Sequence, residues 1–597
     1  MIETASPSVA ASPRTREDWL TLVGKTLKGG GTERLNHRTA DGLVVEPLHA
    51  AAVSAAPLRT GPTDAERPWD LRAHVFHADV ARANAQAITD LQGGAASLLL
   101  STDEAGAHGI AVRSADDLKR LLDGVLLDLA PVALDAGWSA RAAANWLAET
   151  AGSVASASLS FHIDPLGALA ERGREGDPDL DLRATAEQAA HLGDRFPKAS
   201  LFLASGRAVH EAGGSEAQEL GFALASALAY AKALDDAGLP PSKALDRVTI
   251  GLSVDAEPML NIAKLRAARQ LWSRLAAACG TQATARIEAR SSRRMLSRLD
   301  PWTNMLRLTA AGFGAAIGGA DAVILGTFTD ALGEPTDFAR RQSRNTQLVL
   351  MEEAHLGRVA DPAAGSGLIE TMTDQLARAA WGVFGAIESQ GGAAAALTTG
   401  WLVEAVARTR TARQADYARR KAGLIGVTEF PSFETAPVAV DPAPRPAGSN
   451  LSAAPLLAPV RWAEPFEALQ ARGAGVGAPA ALALLGPPPE HAARAGFARA
   501  LLAIAGLRTV DVGPGDAAPS ALVVLCGSDD RYAEEAESAA RALKASGVGR
   551  LWLAGRPGER EAALREAGVD RFVFAGGDAT EALEEAISTL AAAKVPA

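Results

Sequence analysis

The sequence predicts an α/β protein: a (β/α)8 barrel followed by a smaller flavodoxin-like domain. Short apolar runs alternate with helical patterns from Trp69 to about residue 365, a proline-rich stretch follows, and the alternation resumes at residue 476. Such alternation builds parallel sheets through right-handed crossovers. Eight repeats suit a closed barrel, and an open doubly wound sheet is the alternative.

The strand candidates are short runs of Val, Ile, Leu, Phe or Ser, mostly bounded by Gly, Asp or Ser. In the first unit they are Ala96–Leu100, Leu127–Leu134, Ser156–His162, Ser200–Ala204, Arg247–Val254, Ala283–Glu288, Asp321–Leu325 and Arg358–Asp361. In the second unit they are Ala480–Leu485, Arg508–Val512, Ala521–Cys526, Arg550–Ala554 and Arg571–Phe574. Five strands with intervening helices predict a flavodoxin-like sheet, which binds ligands at the carboxyl ends of its strands.

These patterns divide the chain into four segments. Residues 1–66 form an N-terminal extension with a helix candidate at Arg16–Leu27, and they are too few to build a core of their own. Residues 67–427 hold the barrel and its trailing helices, and residues 428–475 form a Pro/Ala-rich linker. Residues 476–597 form the second α/β domain.

Composition excludes several classes of protein. Hydrophobic residues make up 48% and charged residues 22%, which is typical of globular proteins. A formal net charge of −11 argues against a nucleic-acid binder, which needs clustered Lys and Arg. Cys279 and Cys526 are too few for a disulfide framework or a CxxC metal site. No secretory signal and no run long enough to span a membrane is visible, so we expect a cytoplasmic protein without membrane or nucleic-acid partners.

Five segments occur in a recognisable order along the chain. They are Pro68–Arg72, Ile262–Arg269, Asp300–Asn304, Phe338–Gln347 and Asp361–Gly367. In this order and spacing they resemble the coenzyme-B12-dependent methylmalonyl-CoA mutase family. The resemblance implies a barrel threaded by acyl-CoA, with adenosylcobalamin held between the barrel and a C-terminal cobalamin-binding domain. It also implies radical chemistry that interconverts (R)-methylmalonyl-CoA and succinyl-CoA.

The positions that handle the acyl group in that family differ here. Residues 205–213 read Ser-Gly-Arg-Ala-Val-His-Glu-Ala-Gly, where the family has Ser-Gly-Tyr-His-x-x-Glu-Ala-Gly. Arg207 and Ala208 therefore replace the Tyr-His pair, and His74 replaces a tyrosine that lies over the acyl group. His210 is expected to be structural, with a displaced catalytic role as the alternative. We expect no catalytic residue in this chain.

The cobalamin-binding motif of the family, Asp-x-His-x-x-Gly, is also missing. The loop after the first C-terminal strand runs from Gly486 through three prolines to Glu490 and His491. His491 is expected at the surface or at a helix start, and an improvised cobalt ligand is the alternative. Ser528 matches the serine of the family's Ser-x-Leu, but an acid replaces the leucine, and Ser528 or Asp529 is expected to cap the next helix. We therefore expect a degenerate domain without cobalamin-binding residues or metal ligands.

A basic run, Arg290-Ser-Ser-Arg293-Arg294, has two interpretations. The favoured one is a solvated or partner-facing charged loop, and the other is a residual patch for the phosphates of CoA.

The five segments typical of the family are present, but the Tyr-His pair and the cobalamin-binding motif are missing. This combination predicts a non-catalytic small subunit of a heterodimeric mutase. Its partner would be the catalytic large (alpha) subunit, which would hold adenosylcobalamin and the acyl-CoA, and the N-terminal extension would wrap that partner. One alternative is an active acyl-CoA mutase of altered specificity that uses His491. Another is a non-enzymatic assembly partner, although the absence of a P-loop excludes a GTPase chaperone.

Overall fold

The computed structural model describes most of the chain. The described residues are 15–28, 30–50, 57–58, 67–152, 154, 156–173, 178–433, 435–442, 455–513 and 520–592, and the side chains of 178–181 lie outside this description. Near the N-terminus, the helix Arg16–Thr26 confirms the predicted one and is capped by Thr15. It precedes a small antiparallel pair, β1 (His37–Arg38) and β2 (Val44–Val45).

Eight parallel strands then close into a barrel, which confirms the closed form over the open sheet. The ring closes because the last strand pairs with both the first strand and the seventh. In chain order the strands are β3 (Asp70–Val75), β4 (Ser97–Ser101), β5 (Val132–Asp135), β6 (Leu159–Ile163), β7 (Ser200–Ser205), β8 (Val248–Val254), β9 (Arg286–Ser291) and β10 (Ala322–Ile324).

The outward side chains of these strands make the main core. Val75, Leu98 and Leu100 are fully buried against the surrounding helices. Inside the barrel, Leu99 and Ile324 belong to a separate small apolar cluster. The two clusters are distinct because successive side chains of a strand point to opposite faces.

Two of the strand predictions need correction. The first barrel strand, β3, was not among the candidates, and Arg358–Asp361, the predicted eighth strand, forms bends instead. In β3 the polar residues Asp70, Arg72 and His74 alternate with apolar ones, so the strand lacks the continuous apolar run of its neighbours. Charged residues at lumen-facing positions therefore concealed this strand.

Helices surround the barrel and continue beyond it. Short 3-10 or π turns lie at Thr32–Leu35, Gly137–Ser139, Leu245–Arg247 and Val349–Glu353. The helices are Val80–Gln92, Ala115–Leu121, Ala140–Ala151, Pro165–Arg172, Pro178–Arg195, Arg207–Glu211, Glu216–Asp236, Pro241–Ala244, Pro258–Ala278, Thr303–Ile317, Asp337–Leu348, Gly367–Ser389, Ala393–Thr398 and Trp401–Ala418.

The C-terminal domain is a five-stranded parallel sheet. Its strands are β11 (Ala480–Leu484), β12 (Thr509–Val512), β13 (Leu522–Cys526), β14 (Arg550–Ala554) and β15 (Arg571–Val573), which agrees closely with the prediction. Their spatial order, β12-β11-β13-β14-β15, is that of a flavodoxin-like fold. The surrounding helices are Pro488–Ile504, Asp529–Ala545, Glu561–Glu566 and Ala579–Ala592, with a 3-10 turn at Gly558–Arg560.

A further helix, Glu464–Gly473, lies within the range predicted as linker. Its Phe466 and Leu469 are buried in the same core as Leu482 and Trp552 of the sheet. Packing therefore attaches this helix to the C-terminal domain, ahead of the first strand. Residues 443–454 of the predicted linker lie outside the described residues.

Among the described residues, each helix is too short or too polar to cross a lipid bilayer.

Candidate functional site

A network of charges occupies the barrel lumen near the start of its strands. Arg72 donates from Nη1 to Glu288 Oε2 at 2.6 Å, from Nη2 to Asp70 Oδ2 at 2.7 Å, and from Nε to Ser97 Oγ at 2.9 Å. The side chains of Arg72 and Glu288 are only 9% and 2% exposed. Four side chains from three strands thus pair inside the barrel, and the charge of Arg72 is balanced by two carboxylates.

His162, on β6, completes this layer. Its Nδ1 lies 3.8 Å from Glu288 Oε2, and its side chain is 1% exposed. Burial lowers the pKa of His162 to about 4, so the ring is neutral near pH 7. In the part of the chain that the structure describes, neither ring nitrogen has a hydrogen-bond partner.

A second network, nearer the carboxyl ends of the strands, contains His74. Its Nε2 lies 2.8 Å from Ser101 Oγ, and Ser101 Oγ donates to Asp135 Oδ2 at 3.0 Å. Arg290 donates from Nη1 to Asp135 Oδ2 at 3.0 Å and from Nη2 toward the His74 ring at 3.2 Å. Because Ser101 donates to Asp135, its oxygen accepts the Nε2 proton of His74, and Arg290 Nη2 lies 3.2 Å from both ring nitrogens.

This arrangement engages both ring nitrogens of His74 with protein groups. Burial, followed by the charge of Arg290, lowers the pKa of His74 well below its usual value. For Asp135, the charges of Arg290 and Arg207 outweigh the effect of burial and hold the pKa of the carboxyl well below its usual range. The neutral imidazole and the ionised carboxylate thus form a fixed set that leaves no ring nitrogen for a thioester carbonyl.

Arg207 and Ala208 begin the helix Arg207–Glu211, directly after β7. Ala208 is 2% exposed and packs in the core, where a methyl group offers no hydrogen bond. Burial lowers the pKa of Arg207, but the carboxylates of Glu171 and Asp135 outweigh this effect and keep the guanidinium charged. Among the described residues Arg207 forms no direct ion pair, so these acids balance it at longer range.

His210 lies one turn further on and is fully buried. Its Nδ1 is 3.2 Å from Glu219 Oε2, which also accepts from Lys264 Nζ at 2.7 Å. The other carboxylate oxygen of Glu219 accepts the Ser253 backbone N–H at 2.6 Å. Burial, with the charges of Arg294 and Lys264, lowers the pKa of His210 well below its usual value. These contacts favour the structural interpretation of His210.

His210, Glu216 and Asp255 also bring three potential metal-ligand atoms within 4.8 Å of one another. A guanidinium already supplies the positive charge there. Arg294 Nη2 lies 3.2 Å from Glu216 Oε1 and 3.0 Å from Asp255 Oδ2, and its side chain is fully buried. We therefore interpret this cluster as a set of ion pairs around Arg294 rather than as a metal site.

The interpretation of Arg290, Arg293 and Arg294 as a solvated charged loop is wrong for two of the three. Arg290 is a lumen residue of β9, and Arg294 is enclosed by carboxylates, while Arg293 is exposed. The partners of Arg290 and Arg294 come from distant parts of the sequence, and pairing with them offsets the cost of burial.

In the C-terminal domain, the crevice at the strand-order reversal lies between β11 and β13. His491 is the fourth residue of the helix Pro488–Ile504, and its Nδ1 donates to the Gly486 carbonyl oxygen at 3.0 Å. Glu490 forms an ion pair with Arg531 across the crevice. Beside it, Arg494 pairs with Asp529 at 2.5 Å and donates to the Gly527 carbonyl oxygen at 2.7 Å.

Ser528 caps the helix Asp529–Ala545, because its Oγ accepts the Arg531 backbone N–H at 3.2 Å. This confirms the prediction that Ser528 or Asp529 is a cap. Tyr532 then ties β13 to β14, since its hydroxyl lies 2.9 Å from the carbonyl oxygens of both Leu525 and Ala554. The crevice therefore holds ion pairs and a bridging tyrosine, which do not fit the buried, apolar nucleotide base of cobalamin.

Sequence reasoning missed the charged lumen, although the sequence contains a signal for it. Polar residues occur at every second position in Asp70-Leu-Arg72-Ala-His74 and again in Glu288-Ala-Arg290. Alternation of this kind places all the charges on one face of a strand. In a closed barrel that face is the lumen.

The comparisons with known proteins agree with this architecture. The sequence profile of the family described as Methylmalonyl-CoA mutase matches residues 64–447. The chain is 40% identical to a "Methylmalonyl-CoA mutase small subunit" of Streptomyces virginiae, over 97% of both chains. It is 31% identical to the protein of that name from Propionibacterium freudenreichii subsp. shermanii, over 97% of this chain and 95% of the relative.

A third relative, a "Methylmalonyl-CoA mutase" of Escherichia coli strain K12, is 27% identical over 69% of this chain and 64% of its own length. The profile match covers more than half of the chain and includes the whole barrel. The chain therefore belongs to the methylmalonyl-CoA mutase family.

Proposed function

We propose that this chain is the non-catalytic small subunit of a heterodimeric methylmalonyl-CoA mutase. It would stabilise a large subunit that interconverts (R)-methylmalonyl-CoA and succinyl-CoA with adenosylcobalamin. The proposal rests mainly on Ala208 and His74, which occupy the positions that contact the acyl group in the family. Ala208 has no polar group, and both ring nitrogens of His74 lie within hydrogen-bond distance of Ser101 or Arg290.

The names of the relatives support the presence of a partner. Two proteins that match nearly the full length of this chain are named small subunits, and the word implies a larger companion. Both relatives align over both domains, so their similarity extends to the C-terminal sheet as well as to the barrel.

The filled lumen supports placing the acyl-CoA on the partner. A substrate threaded along the barrel axis would have to separate Arg72 from Glu288 and Asp70. Breaking a buried ion pair and leaving one charge unpaired costs about 3–5 kcal/mol. The binding energy of the acyl chain would be spent on that separation before any chemistry began.

The C-terminal crevice supports placing the cofactor on the partner. Cobalamin would have to displace the Glu490–Arg531 and Arg494–Asp529 pairs and then hold its apolar base against the charges that remained. His491 donates from Nδ1 to the Gly486 carbonyl, and no carboxylate stands at the position of the family's aspartate.

Reconstitution tests the proposal. The chain, a cognate large subunit and their mixture would be assayed for conversion of methylmalonyl-CoA with adenosylcobalamin present. We expect no turnover by this chain alone, turnover in the mixture, and co-elution of the two chains at equal stoichiometry. Turnover by the isolated chain would support the active-mutase alternative, especially if His491→Ala abolished it. A mixture that is active without a stable complex would favour a transient assembly partner.

A further inference from the structure

Five large apolar side chains are exposed on one face of the molecule, where the trailing helices end. The most exposed is Phe430, at 83%, an unusual value for a large aromatic residue. The face comprises Phe430, Leu306 (69% exposed), Ile425 (60%), Phe433 (53%) and Phe338 (41%), and we call it the apolar face.

Contacts among neighbouring residues connect the parts of this face. Leu306 lies one turn after Trp302 on the same side of the helix Thr303–Ile317, and Arg307 of this helix donates to the Ile425 carbonyl oxygen at 2.7 Å. The ring of Phe328 stacks on Trp302 at 5.2 Å and meets Phe338 edge-on at 6.1 Å. Trp302 also donates to a backbone carbonyl just beyond Phe433, at 3.2 Å. The exposed side chains are thus joined by buried or half-buried neighbours.

The loop 423–433 that carries three of these side chains is rigidly held. Leu424 N donates to Thr428 Oγ1 at 2.9 Å, and Gly426 N donates to the Glu429 carbonyl at 2.7 Å. The carboxylate of Glu429 pairs with Arg420 at 3.2 Å, and Val427 is fully buried. Because the loop is already ordered, a partner that binds it incurs little cost in lost conformational freedom.

Phe430 also has a strained backbone. Its φ is +53°, in the left-handed region that residues other than Gly, Asn and Asp rarely adopt. Strain of this kind costs about 1–3 kcal/mol and is concentrated at binding and active sites. A strained backbone that holds a phenyl ring in water brings no benefit to an isolated chain.

We infer that the apolar face is the docking surface for the large subunit, an inference that rests on the proposed function. An aromatic side chain has a surface of about 150–250 Å². With the exposed fractions given above, the five side chains together expose on the order of 500 Å² of apolar surface. A standard interface buries about 800 Å² on each partner, so these five side chains supply more than half of it. Aromatic anchors surrounded by ordered backbone are the usual source of interface affinity. The complementary surface of the partner is an apolar hollow that takes the Phe430 ring.

The test is a titration of this chain with a cognate large subunit, with complex formation followed by analytical ultracentrifugation. We expect Phe430→Ala to weaken the complex at least about tenfold, as hot-spot truncations do. The double variant Ile425→Asp, Phe430→Asp should form no complex at micromolar concentrations. Leu129→Asp is the matched control: Leu129 is 72% exposed but lies in the loop before β5, and the variant should bind like the wild type. Thermal unfolding of each variant would show that it remains folded.

The outcomes separate the two proposals. If the wild-type chains form no complex, the proposed function itself fails. If they form a complex that tolerates both variants, the docking surface is wrong while the proposed function stands. Self-association of the wild-type chain that Phe430→Asp abolishes would assign the face to a second copy instead. A large loss of thermal stability in the free chain on Phe430→Asp would mean that another segment of the same chain covers the face.

Discussion

Asp164 shows how burial changes the chemistry of a single residue in this barrel. It caps the helix Pro165–Arg172 by accepting the Gly167 N–H at 2.9 Å, and it also accepts a hydrogen bond from the Tyr230 hydroxyl. Burial raises the pKa of Asp164 from 3.8 to about 7, despite these hydrogen bonds to the carboxylate. The carboxyl therefore binds a proton in the folded state at a pH at which the unfolded chain has released it.

The free energy of unfolding should therefore depend on pH through Asp164. With a folded-state pKa above the unfolded value, its contribution is fully present below pH 4 and is lost as the pH rises to about 7. Asp164→Asn keeps a capping side chain without this titration. Urea unfolding between pH 4 and 8 should show the wild type losing on the order of 4 kcal/mol relative to Asp164→Asn. A constant difference between the two proteins at every pH would contradict the assignment.

The roles of some residues could be predicted from the sequence, and those of others could not. Ser528 or Asp529 was predicted as a helix cap, and Ser528 is the cap, because capping depends on nearby sequence alone. The partnership of Arg290 with Asp135 could not be predicted, because the two residues are 155 positions apart and meet only when the barrel closes. Arg290 and Arg294 therefore resemble surface charges in the sequence, although in the fold Arg290 pairs with Asp135 and Arg294 pairs with Glu216 and Asp255.

At the scale of elements, strands were predictable where apolar runs lie between helices. The sheet of the C-terminal domain has both faces covered, so its strands are continuous apolar runs and appear close to their predicted bounds. β3 was missed because its inner face is charged, and Arg358–Asp361 was wrong because a few apolar residues near a glycine also occur in turns. A prediction from hydrophobic runs fails where a lumen is polar.

The helix Glu464–Gly473 offers a test of element packing. It ends against Ala505, so a methyl group at Gly473 would collide with the Ala505 carbonyl oxygen. Gly473→Ala should destabilise the C-terminal domain by about 1–3 kcal/mol, as overpacking does. Gly475→Ala is the matched control, because its added methyl meets its nearest neighbour, the Arg472 carbonyl oxygen, at 3.5 Å. Denaturant unfolding followed by circular dichroism measures both variants, and equal midpoints would contradict the packing described.

At the scale of the whole molecule, the family scaffold is retained and its barrel lumen is charged. The eight-stranded barrel and the five-stranded sheet have the expected topology. Ion pairs fill the lumen at Arg72–Glu288 and bridge the C-terminal crevice at Glu490–Arg531. Separating the buried lumen pair leaves a charge unpaired, so it opposes a ligand that enters the barrel. The side chains of Arg531 and Glu490 are 29% and 34% exposed, so that pair opposes a ligand less strongly.

The central claim is that this chain has no cobalamin site of its own. The most direct measurement is the cobalt content of the isolated chain after equilibration with adenosylcobalamin and gel filtration, beside a cognate large subunit treated in the same way. We predict no corrin absorbance and no cobalt above background in this chain, and a stoichiometric amount in the large subunit. Stoichiometric cobalt in the isolated chain, lost on substitution of His491 by alanine, would contradict the account.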